Sequence, residues 1–255
     1  MQFIDTHTHL YDEQFLEDID SFVTDAQAAG VYKMYLPNCD STTIEPMMTI
    51  VRKHPQVLLP MMGIHPCYVK ENYKDELAIV EKWLGNYDFA AIGEIGLDYY
   101  WDQTFVPQQK DAFNIQMQWA KEKDLPIIIH TRDSIDDGIS MVKAQQNGRL
   151  KGIFHCFGGT LEQAKAIIDL GFHLGIGGVV TFKNSNLGDV LKQIPLEYIV
   201  LETDAPYLAP VPFRGKRNES KYIPLVAEKL VSIYQSALEE VARITTNNAN
   251  KIYKY

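Results

Sequence analysis

The chain alternates between short apolar runs and longer amphipathic stretches. Eight apolar runs, rich in β-branched residues, lie at 2–6, 31–37, 57–64, 89–95, 126–130, 152–155, 172–176 and 198–203. Apolar residues are nearly continuous within each run, which is typical of strands that are buried on both faces. The runs therefore predict a parallel sheet that is covered on both sides.

The stretches between these runs carry apolar residues at helical spacing. The first stripe consists of Phe15, Ile19, Phe22, Val23 and Ala26. Pro107 suits the first turn of a long helix, and Pro224 begins the last helical region. Capping boxes are predicted to begin at Thr160 and Ser236. The spacing therefore predicts a helix after each strand.

Regular alternation of strand and helix along the whole chain predicts a single (β/α)8 TIM barrel spanning 1–255. No linker, internal repeat or block of charge divides the sequence. The competing fold is a doubly wound open sheet, which would be supported by a glycine-rich turn after the first strand. That position holds His-Thr-His at 7–9 instead, so the barrel is favoured.

Composition narrows the class of protein. Hydrophobic residues make up 46% and charged residues 22% of the 255 residues, which excludes a disordered chain. The net charge of −9 excludes a globally basic nucleic-acid binder, although local charge can oppose net charge. Three cysteines without a C-x-x-C pair indicate a reducing compartment.

The sequence shows no secretory signal, and no apolar run approaches the roughly 20 residues of a membrane span. We therefore expect a cytoplasmic protein that makes no contact with a membrane. No obligate protein partner is evident from the sequence.

Metal-binding side chains follow several of the predicted strands. They are His7, His9, His65, Glu94, His130, His155 and Asp204. In a TIM barrel the carboxyl ends of the strands meet at one face, where the active site lies. His7 and His9 are two residues apart, so a strand presents both on one side. Glu94 is the one carboxylate of its apolar run, and a buried carboxylate requires a cation. These positions predict a metal site.

Other polar residues receive different interpretations. Glu202 and Asp204 share a face, and Glu202 is expected to orient a metal-binding histidine. His54 and His173 are interpreted as structural. The chain has neither a G-x-S-x-G motif nor a P-loop, so serine hydrolysis and P-loop phosphoryl transfer lack support.

Six motifs together resemble the TatD family of metal-dependent deoxyribonucleases. They are Phe-Ile-Asp-Thr-His-Thr-His at 3–9, Gly-Ile-His-Pro at 63–66, Ile-Gly-Glu-Ile-Gly-Leu-Asp-Tyr at 92–99, His-Thr-Arg at 130–132, His-Cys-Phe at 155–157 and Leu-Glu-Thr-Asp-Ala-Pro at 201–206. The resemblance extends to residue 253. It implies an amidohydrolase-like TIM barrel that hydrolyses phosphodiester bonds in DNA.

The resemblance also implies a ligand set for two divalent ions. One ion would be held by His7, His9, Glu94 and Asp204, and the other by Glu94, His130 and His155, with Glu94 bridging. Some amidohydrolase-like relatives use a modified lysine as the bridge, and Glu94 at that position favours the deoxyribonuclease branch over dihydroorotase-like enzymes. Zinc, manganese, cobalt and magnesium all remain possible.

Catalytic roles follow from that ligand set. Two ions about 3.5–4 Å apart can hold a phosphate oxygen and activate water, with Asp204 accepting the proton. Arg132 lies two residues beyond His130 and would hold a phosphate oxygen through two hydrogen bonds. The alternative for Arg132 is an ion pair at the rim with Asp133 or Asp136. His65 would steady the leaving oxygen or fill an outer metal position.

Substrate contacts are expected at the rim of the barrel. The loop at 207–222 carries Arg214, Lys216, Arg217 and Lys221 among aromatic residues, which suits a DNA backbone and stacked bases. The alternative is a solvated loop whose cations pair with acids elsewhere. Tyr99, with Tyr100 and Trp101, would stack on a base or wall the mouth of the barrel.

Two other functions stay open at this point. The first is an amidohydrolase-like enzyme acting on a small cyclic amide or ester. The second is a protein that binds metal or nucleic acid without catalysis, which the complete ligand set disfavours.

Overall fold

The computed structural model describes residues 1–253 and contains eight β-strands and nine α-helices within that range. They are β1 (Phe3–Asp5), α1 (Ile19–Ala28), β2 (Val31–Pro37), α2 (Ile44–Lys53), β3 (Leu58–Met61), α3 (Tyr73–Asn86), β4 (Ile92–Asp98), α4 (Val106–Lys123), β5 (Ile127–Arg132), α5 (Ile135–Gln145), β6 (Gly152–Phe154), α6 (Leu161–Asp169), β7 (Phe172–Ile176), α7 (Leu187–Leu191), β8 (Ile199–Leu201), α8 (Ile223–Tyr234) and α9 (Leu238–Ile252). None of these helices is both long enough and apolar enough to cross a membrane. Residues 254 and 255 of the predicted single domain lie outside the described range.

The strands form a closed parallel barrel. Strands β1 to β3 pair in sequence, and so do β4 to β8. Two isolated bridges join these groups, one between Met62 and Ile92 and one between Thr8 and Ala205. The ring is therefore complete, and the predicted (β/α)8 TIM barrel is confirmed.

Each predicted strand is present, although several boundaries differ. Strand β4 continues to Asp98 because Asp98 pairs with Arg132 of β5, beyond the apolar part of both strands. Helix α1 begins at Ile19 rather than near Phe15, and Phe15 is buried within the preceding turns. Apolar periodicity locates a strand or helix but does not fix its ends.

The two predicted capping boxes have different outcomes. At α6 the Thr160 hydroxyl accepts from the Gln163 amide at 3.3 Å, and the Gln163 side chain accepts from the Thr160 amide at 2.9 Å. The box predicted at Ser236 is wrong. Helix α9 has Ala237 at its cap position and no side-chain capping bond, because the helix begins one residue later than the motif requires.

The interior of the barrel is layered along its axis. The layer at the amino ends of the strands is apolar and buried, and consists of Ile4, Tyr35, Met61, Ala90, Ala91, Ile128, Ile153 and Val200, with Tyr253 after α9. The Tyr35 and Tyr253 rings stack at 3.7 Å and close this end. Side chains two residues apart on a strand point in the same direction. His130 and His155 therefore lie in the next layer, beside Ile128 and Ile153.

Candidate metal centre

Glu94 lies at the centre of a polar cluster inside the carboxyl end of the barrel. Its side chain is 2% exposed. The Oε2 atom lies 3.1 Å from His7 Nε2 and 3.6 Å from His9 Nε2. Asp204 Oδ1 lies on the same side, 3.6 Å from His7 Nε2 and 3.5 Å from His9 Nε2. Three predicted ligands therefore converge on one side of the Glu94 carboxylate, which is the fourth.

The other carboxylate oxygen faces a second group of histidines. Glu94 Oε1 lies 3.0 Å from both His130 Nδ1 and His155 Nε2. It also lies 3.5 Å from His65 Nε2, which is 3.3 Å from His130 Nδ1. Each oxygen of Glu94 therefore has its own set of imidazole nitrogens.

The geometry of both groups fits divalent cations. Ligand atoms around a tetrahedral ion with bonds of about 2.0–2.1 Å are about 3.3 Å apart, and the donor atoms here are separated by similar distances. His7 Nε2 and His9 Nε2 face each other at 3.3 Å, and two protonated rings would repel there. Donors from the predicted ligands form three compact groups within the described residues. The residues present can therefore hold metal.

The second ring nitrogen is within hydrogen-bond distance of a partner at two histidines and lies close to a carboxylate, without a hydrogen bond, at a third. His130 Nε2 lies 2.8 Å from Asp98 Oδ2, and His9 Nδ1 lies 2.8 Å from the Tyr11 hydroxyl. His155 Nδ1 lies 3.3 Å from Glu202 Oε1, as expected for Glu202 from the sequence. Such partners fix the ring orientation and make the ligating nitrogen a better donor.

Sequence reasoning assigned no role to Asp98, Tyr11 or Asp5. Asp98 follows Glu94 by four residues on β4, and Tyr11 follows His9 by two. This even spacing is only a weak indication that either side chain faces the cluster. Asp5 accepts hydrogen bonds from the Thr203 hydroxyl at 2.6 Å and the His7 amide at 3.2 Å. Burial raises the pKa of Asp5 to about 7 despite these bonds.

Two glycines allow the strands to approach closely around the ligands. Gly96 has a φ of +136°, and a Cβ there would collide with the backbone carbonyl of His130 on β5. Gly175 leaves the space that the Glu202 carboxylate occupies. A side chain at either position would displace a ligand or its partner.

The charges of the cluster support cation binding. Burial alone would raise the pKa of Glu94, but the imidazoles of His155, His7 and His65 hold it well below its usual range. Burial opposes ionisation of Asp204 too, yet its contact with His9 lowers the pKa. Burial lowers the pKa of His65 to about 3. Both carboxylates are therefore charged and His65 is neutral at neutral pH, which are the forms that bind metal. Burial is outweighed at His130 and His155, where Glu94 and the partner carboxylates Asp98 and Glu202 raise the pKa, so a cation would have to displace protons from these two rings.

A cavity of about 980 Å³ opens above the cluster, and Arg132 and Trp101 line it. The Arg132 guanidinium lies over the Tyr100 ring, 3.7 Å from its centroid. Within residues 1–253 it forms no ion pair with Asp133 or Asp136, which was the alternative interpretation. Contact between Arg132 and phosphate stays a prediction.

Tyr99 has a different place from the one predicted for a substrate-binding residue. Its hydroxyl donates to Asp137 at 2.7 Å, and Lys110 pairs with the same carboxylate at 2.6 Å. Tyr99 is absent from the lining of the large cavity, whereas Trp101 is part of it. The aromatic contact expected from residues 99–101 is therefore better assigned to Trp101.

The basic loop divides into two parts. Arg217 pairs with Glu219 at 3.2 Å and lies over the Phe22 ring at 4.4 Å. Lys221 pairs with Glu219 at 2.7 Å and with Asp25 at 3.0 Å. The alternative interpretation of cations paired with acids holds for these two residues, so the assignment of Arg217 to substrate loses support.

Arg214 and Lys216 contact aromatic rings instead. The Arg214 guanidinium lies 4.6 Å from the Phe182 centroid, and Lys216 Nζ lies 6.0 Å from that of Phe213. Neither forms an ion pair with an acid in the described part of the chain. Their contact with substrate stays a prediction.

Sequence comparisons relate this chain to known proteins. A model of the family described as TatD-related DNase matches residues 4–254. The metal-dependent hydrolase YabD of Bacillus subtilis, described as uncharacterized, is 38% identical over 251 residues, which cover 98% of each chain. YcfH of Escherichia coli K12, with the same description, is 32% identical over 99% of this chain and 96% of its own.

Structure comparison gives a consistent result. The crystal structure of YjjV, a TatD homologue from Escherichia coli K12, superposes with a TM-score of 0.93. The two chains are 28% identical, and the match covers 99% of this chain and 98% of the other. Fold and sequence therefore point to the same set of relatives.

Proposed function

The chain belongs to the TatD-related DNase family and is a metal-dependent hydrolase, and from this premise we propose that it hydrolyses phosphodiester bonds in DNA. The proposal is carried by the Glu94 carboxylate, whose two oxygens each face a separate group of imidazoles. A carboxylate placed in this way suits a bridge between two divalent ions. We propose two ions per chain, drawn from zinc, manganese, cobalt and magnesium.

Bound ions would supply Lewis acidity and make water more acidic. The Asp204 carboxylate is the residue we propose to accept the proton from the attacking water. Both Asp204 and Glu94 line the cavity, but the Asp204 side chain is 15% exposed and that of Glu94 only 2% exposed, so Asp204 is the more accessible of the two. His7, His9, His130 and His155 hold the ligand geometry, and Asp98 and Glu202 keep two of the rings in place.

Arg132 is the proposed phosphate contact. It lies at the cavity wall with its guanidinium plane supported by Tyr100, which leaves its N–H groups available for two parallel bonds. His65 lies 3.5 Å from Glu94 and at the edge of the cavity. We assign it to the outer metal position or to the leaving oxygen.

The amidohydrolase-like alternative has less support. Relatives of that kind that bridge two metals with a modified lysine need a lysine at the cluster, and none lines the cavity in the described part of the chain. The cavity is also open and bordered by Arg132 and exposed aromatic residues, which suits an extended anionic substrate.

One experiment tests the proposal and its alternatives. Purified protein is analysed for metal and then assayed with zinc, manganese, cobalt or magnesium on end-labelled single-stranded DNA, bis(p-nitrophenyl) phosphate and dihydroorotate. We expect about two ions per chain and cleavage of both phosphodiesters. Turnover of dihydroorotate alone would support the amidohydrolase function. DNA binding without turnover in any metal would support a non-catalytic role.

A further inference from the structure

The barrel wall consists of two sheets that meet at two seams. Strands β1 to β3 form the smaller sheet, and β4 to β8 form the larger one. At the seam between β1 and β8, an isolated bridge joins Thr8 to Ala205. Next to it, the His9 amide donates to the Ala205 carbonyl at 2.7 Å, and the Thr6 amide donates to the Leu201 carbonyl at 3.0 Å. These bonds hold the two sheets together beside the metal centre.

The predicted ligands are divided unequally between the two sheets. One ion is proposed at Glu94, His130 and His155, which all belong to the larger sheet or directly follow one of its strands. We call this the sheet site. The other ion is proposed at Glu94 and Asp204 from the larger sheet and at the two histidines that follow β1 of the smaller sheet. We call this the seam site, because its ligands come from both sides of the seam.

Asp5, the last residue of β1, joins the two sheets across this seam. Its Oδ1 atom accepts from the Thr203 amide at 3.0 Å and from the His7 amide at 3.2 Å, and its Oδ2 atom accepts from the Thr203 hydroxyl at 2.6 Å. Asp5 and Thr203 are both buried. Hydrogen bonds to a carboxylate are shorter and stronger than those between neutral groups. The carboxylate therefore fixes Thr203 of the larger sheet against β1 of the smaller one.

Thr203 directly precedes a ligand of the seam site. The Asp204 amide donates to the His7 carbonyl at 2.9 Å, and the Thr203 hydroxyl accepts from the Ala205 amide at 3.3 Å. The Asp204 Oδ1 and His7 Nε2 atoms are 3.6 Å apart. A shift of Thr203 relative to Asp5 would change this distance, because His7 and Asp204 lie on opposite sides of the seam.

We propose that Asp5 is a positioning residue that sets the spacing across the seam for the seam site and leaves the sheet site unaffected. This inference rests on the proposed function, because it assumes the ligand set of two ions. The Asp5 carboxylate bonds to the backbone of His7 and to the residue before Asp204. In the described part of the chain it forms no hydrogen bond with β4, β5 or β6. Ligands must be held within about 0.5 Å of the required geometry, so loss of these bonds should weaken one site alone.

The first test measures zinc affinity in two backgrounds that each retain one site. His155→Gln removes a ligand of the sheet site, and His9→Gln removes a ligand of the seam site. Zinc binding to the metal-free proteins is measured by competition with a chromogenic chelator. Adding Asp5→Leu should weaken zinc binding about ten- to one-hundredfold in the His155→Gln background and leave it unchanged in the His9→Gln background. Equal losses in both backgrounds, or none in the first, would overturn the inference.

The second test uses smaller changes, which keep the inference testable if Asp5→Leu does not fold. Asp5→Asn retains an acceptor for both backbone amides and should restore most of the zinc affinity of the seam site. Thr203→Val removes only the hydroxyl and should weaken the seam site about tenfold, whereas Thr203→Ser should bind zinc like wild type.

Thr245→Val is the matched control for Thr203→Val. Thr245 is also buried, but its hydroxyl donates to the Val241 carbonyl within α9 at 2.8 Å and does not reach the seam. Its zinc affinity should match wild type even if its melting temperature falls. Equal losses of zinc affinity in Thr203→Val and Thr245→Val would contradict a positioning role.

The third test follows the seam itself by amide hydrogen exchange in the His155→Gln background. A zinc ion held by ligands from both sheets should slow exchange of the His9 and Asp204 amides, which donate across the seam. With Asp5→Leu added, the same slowing should require a correspondingly higher zinc concentration. A response at the same zinc concentration with and without Asp5→Leu would refute the inference.

The proposed function is decided by separate measurements. Wild type that binds two zinc ions but cleaves neither phosphodiester would refute the proposed function, and the zinc affinities of the Asp5 variants would still decide whether Asp5 positions the seam site. Wild type that binds no zinc at the seam site would overturn both.

Discussion

The two ends of the barrel interior are built on the same strands but differ in chemistry. At the amino end, Ile128, Ile153 and Val200 pack in an apolar layer that Tyr253 closes. Two residues further along the same strands, the carboxyl end holds His130, His155 and Glu202. Side chains of the apolar core and side chains of the candidate metal centre are thus separated by only two residues along the same strands.

The carboxyl end also carries features that cost stability. Cys156 and Asp204 have positive φ angles of 48° and 57°, which side chains other than glycine adopt rarely. His7 Nδ1 and Glu202 Oε2 are buried without a hydrogen-bond partner among the described residues. Strain and unpaired polar atoms of this kind are typical of functional sites. Substitutions at the carboxyl end should therefore lower activity but not stability, and substitutions at the amino end should lower stability but not activity.

The largest expected effect is on activity, from Glu94→Gln at the carboxyl end. The amide keeps the size of the side chain but removes the charge that would hold two cations close together. We expect metal content to fall from about two ions to one or none, and turnover to fall by several orders of magnitude. The melting temperature without added metal should stay the same or rise. Two tightly bound ions and a near-normal rate would contradict the bridging role.

At the amino end, Ile128→Ala should show the opposite pattern. Removing a fully buried side chain leaves a cavity and should lower the free energy of unfolding by about 2–5 kcal/mol. Metal content and turnover per folded molecule should match wild type. Ile128→Val is the matched control, with an expected loss of about 0.5–1.5 kcal/mol. Thermal melts and metal analysis on one preparation check both, and loss of metal in Ile128→Ala would show that the two ends are coupled.

A smaller effect is expected from Arg132→Lys at the rim. Lysine keeps the charge but loses the second parallel hydrogen bond and the planar contact with Tyr100. Turnover of DNA should fall by about ten- to one-hundredfold, with metal content and stability unchanged. Steady-state kinetics and metal analysis test this. Full activity in the lysine variant would remove the proposed phosphate contact.

The smallest effect is expected from the basic loop, where the two kinds of cation can be compared directly. Arg214→Gln combined with Lys216→Gln should raise KM for DNA a few-fold and flatten its salt dependence, because fewer counterions are released. Arg217→Gln should mainly lower the melting temperature, because Arg217 pairs with Glu219 and packs on Phe22. An unchanged salt dependence in the double variant would exclude both residues from DNA contact.

Much of the carboxyl end could be predicted from the sequence because the ligands lie at or just beyond the end of short apolar runs. Once the runs are taken as parallel strands, their ends must meet, and the structure brings His7, Glu94, His130 and Asp204 together as expected. The number of metals and the catalytic roles stay predictions, since no distance between side chains establishes them.

Other features depend on tertiary contacts that spacing does not encode. The Tyr99 side chain is oriented by its hydrogen bond to Asp137, 38 residues away in the sequence. Lys221 pairs with Asp25, which is 196 residues away. Asp98 is identified as a partner of His130 only by the barrel structure, which brings the two side chains into contact. The sequence therefore indicates which residue types surround the site more reliably than it indicates what each rim residue contacts.

The two-residue offset between Ile128 and His130 also constrains how this protein can evolve. Inserting or deleting one residue before His130 within β5 would turn its side chain toward the surrounding helices and expose a charged group to their apolar packing. Such changes would be removed by selection on folding alone, before any loss of activity. The segments after β4 and β8, which carry Trp101 and Tyr207, lie outside the strands, so a change of length there does not reverse the direction of a strand side chain. Substrate preference can therefore diverge between descendants while the ligand positions stay the same.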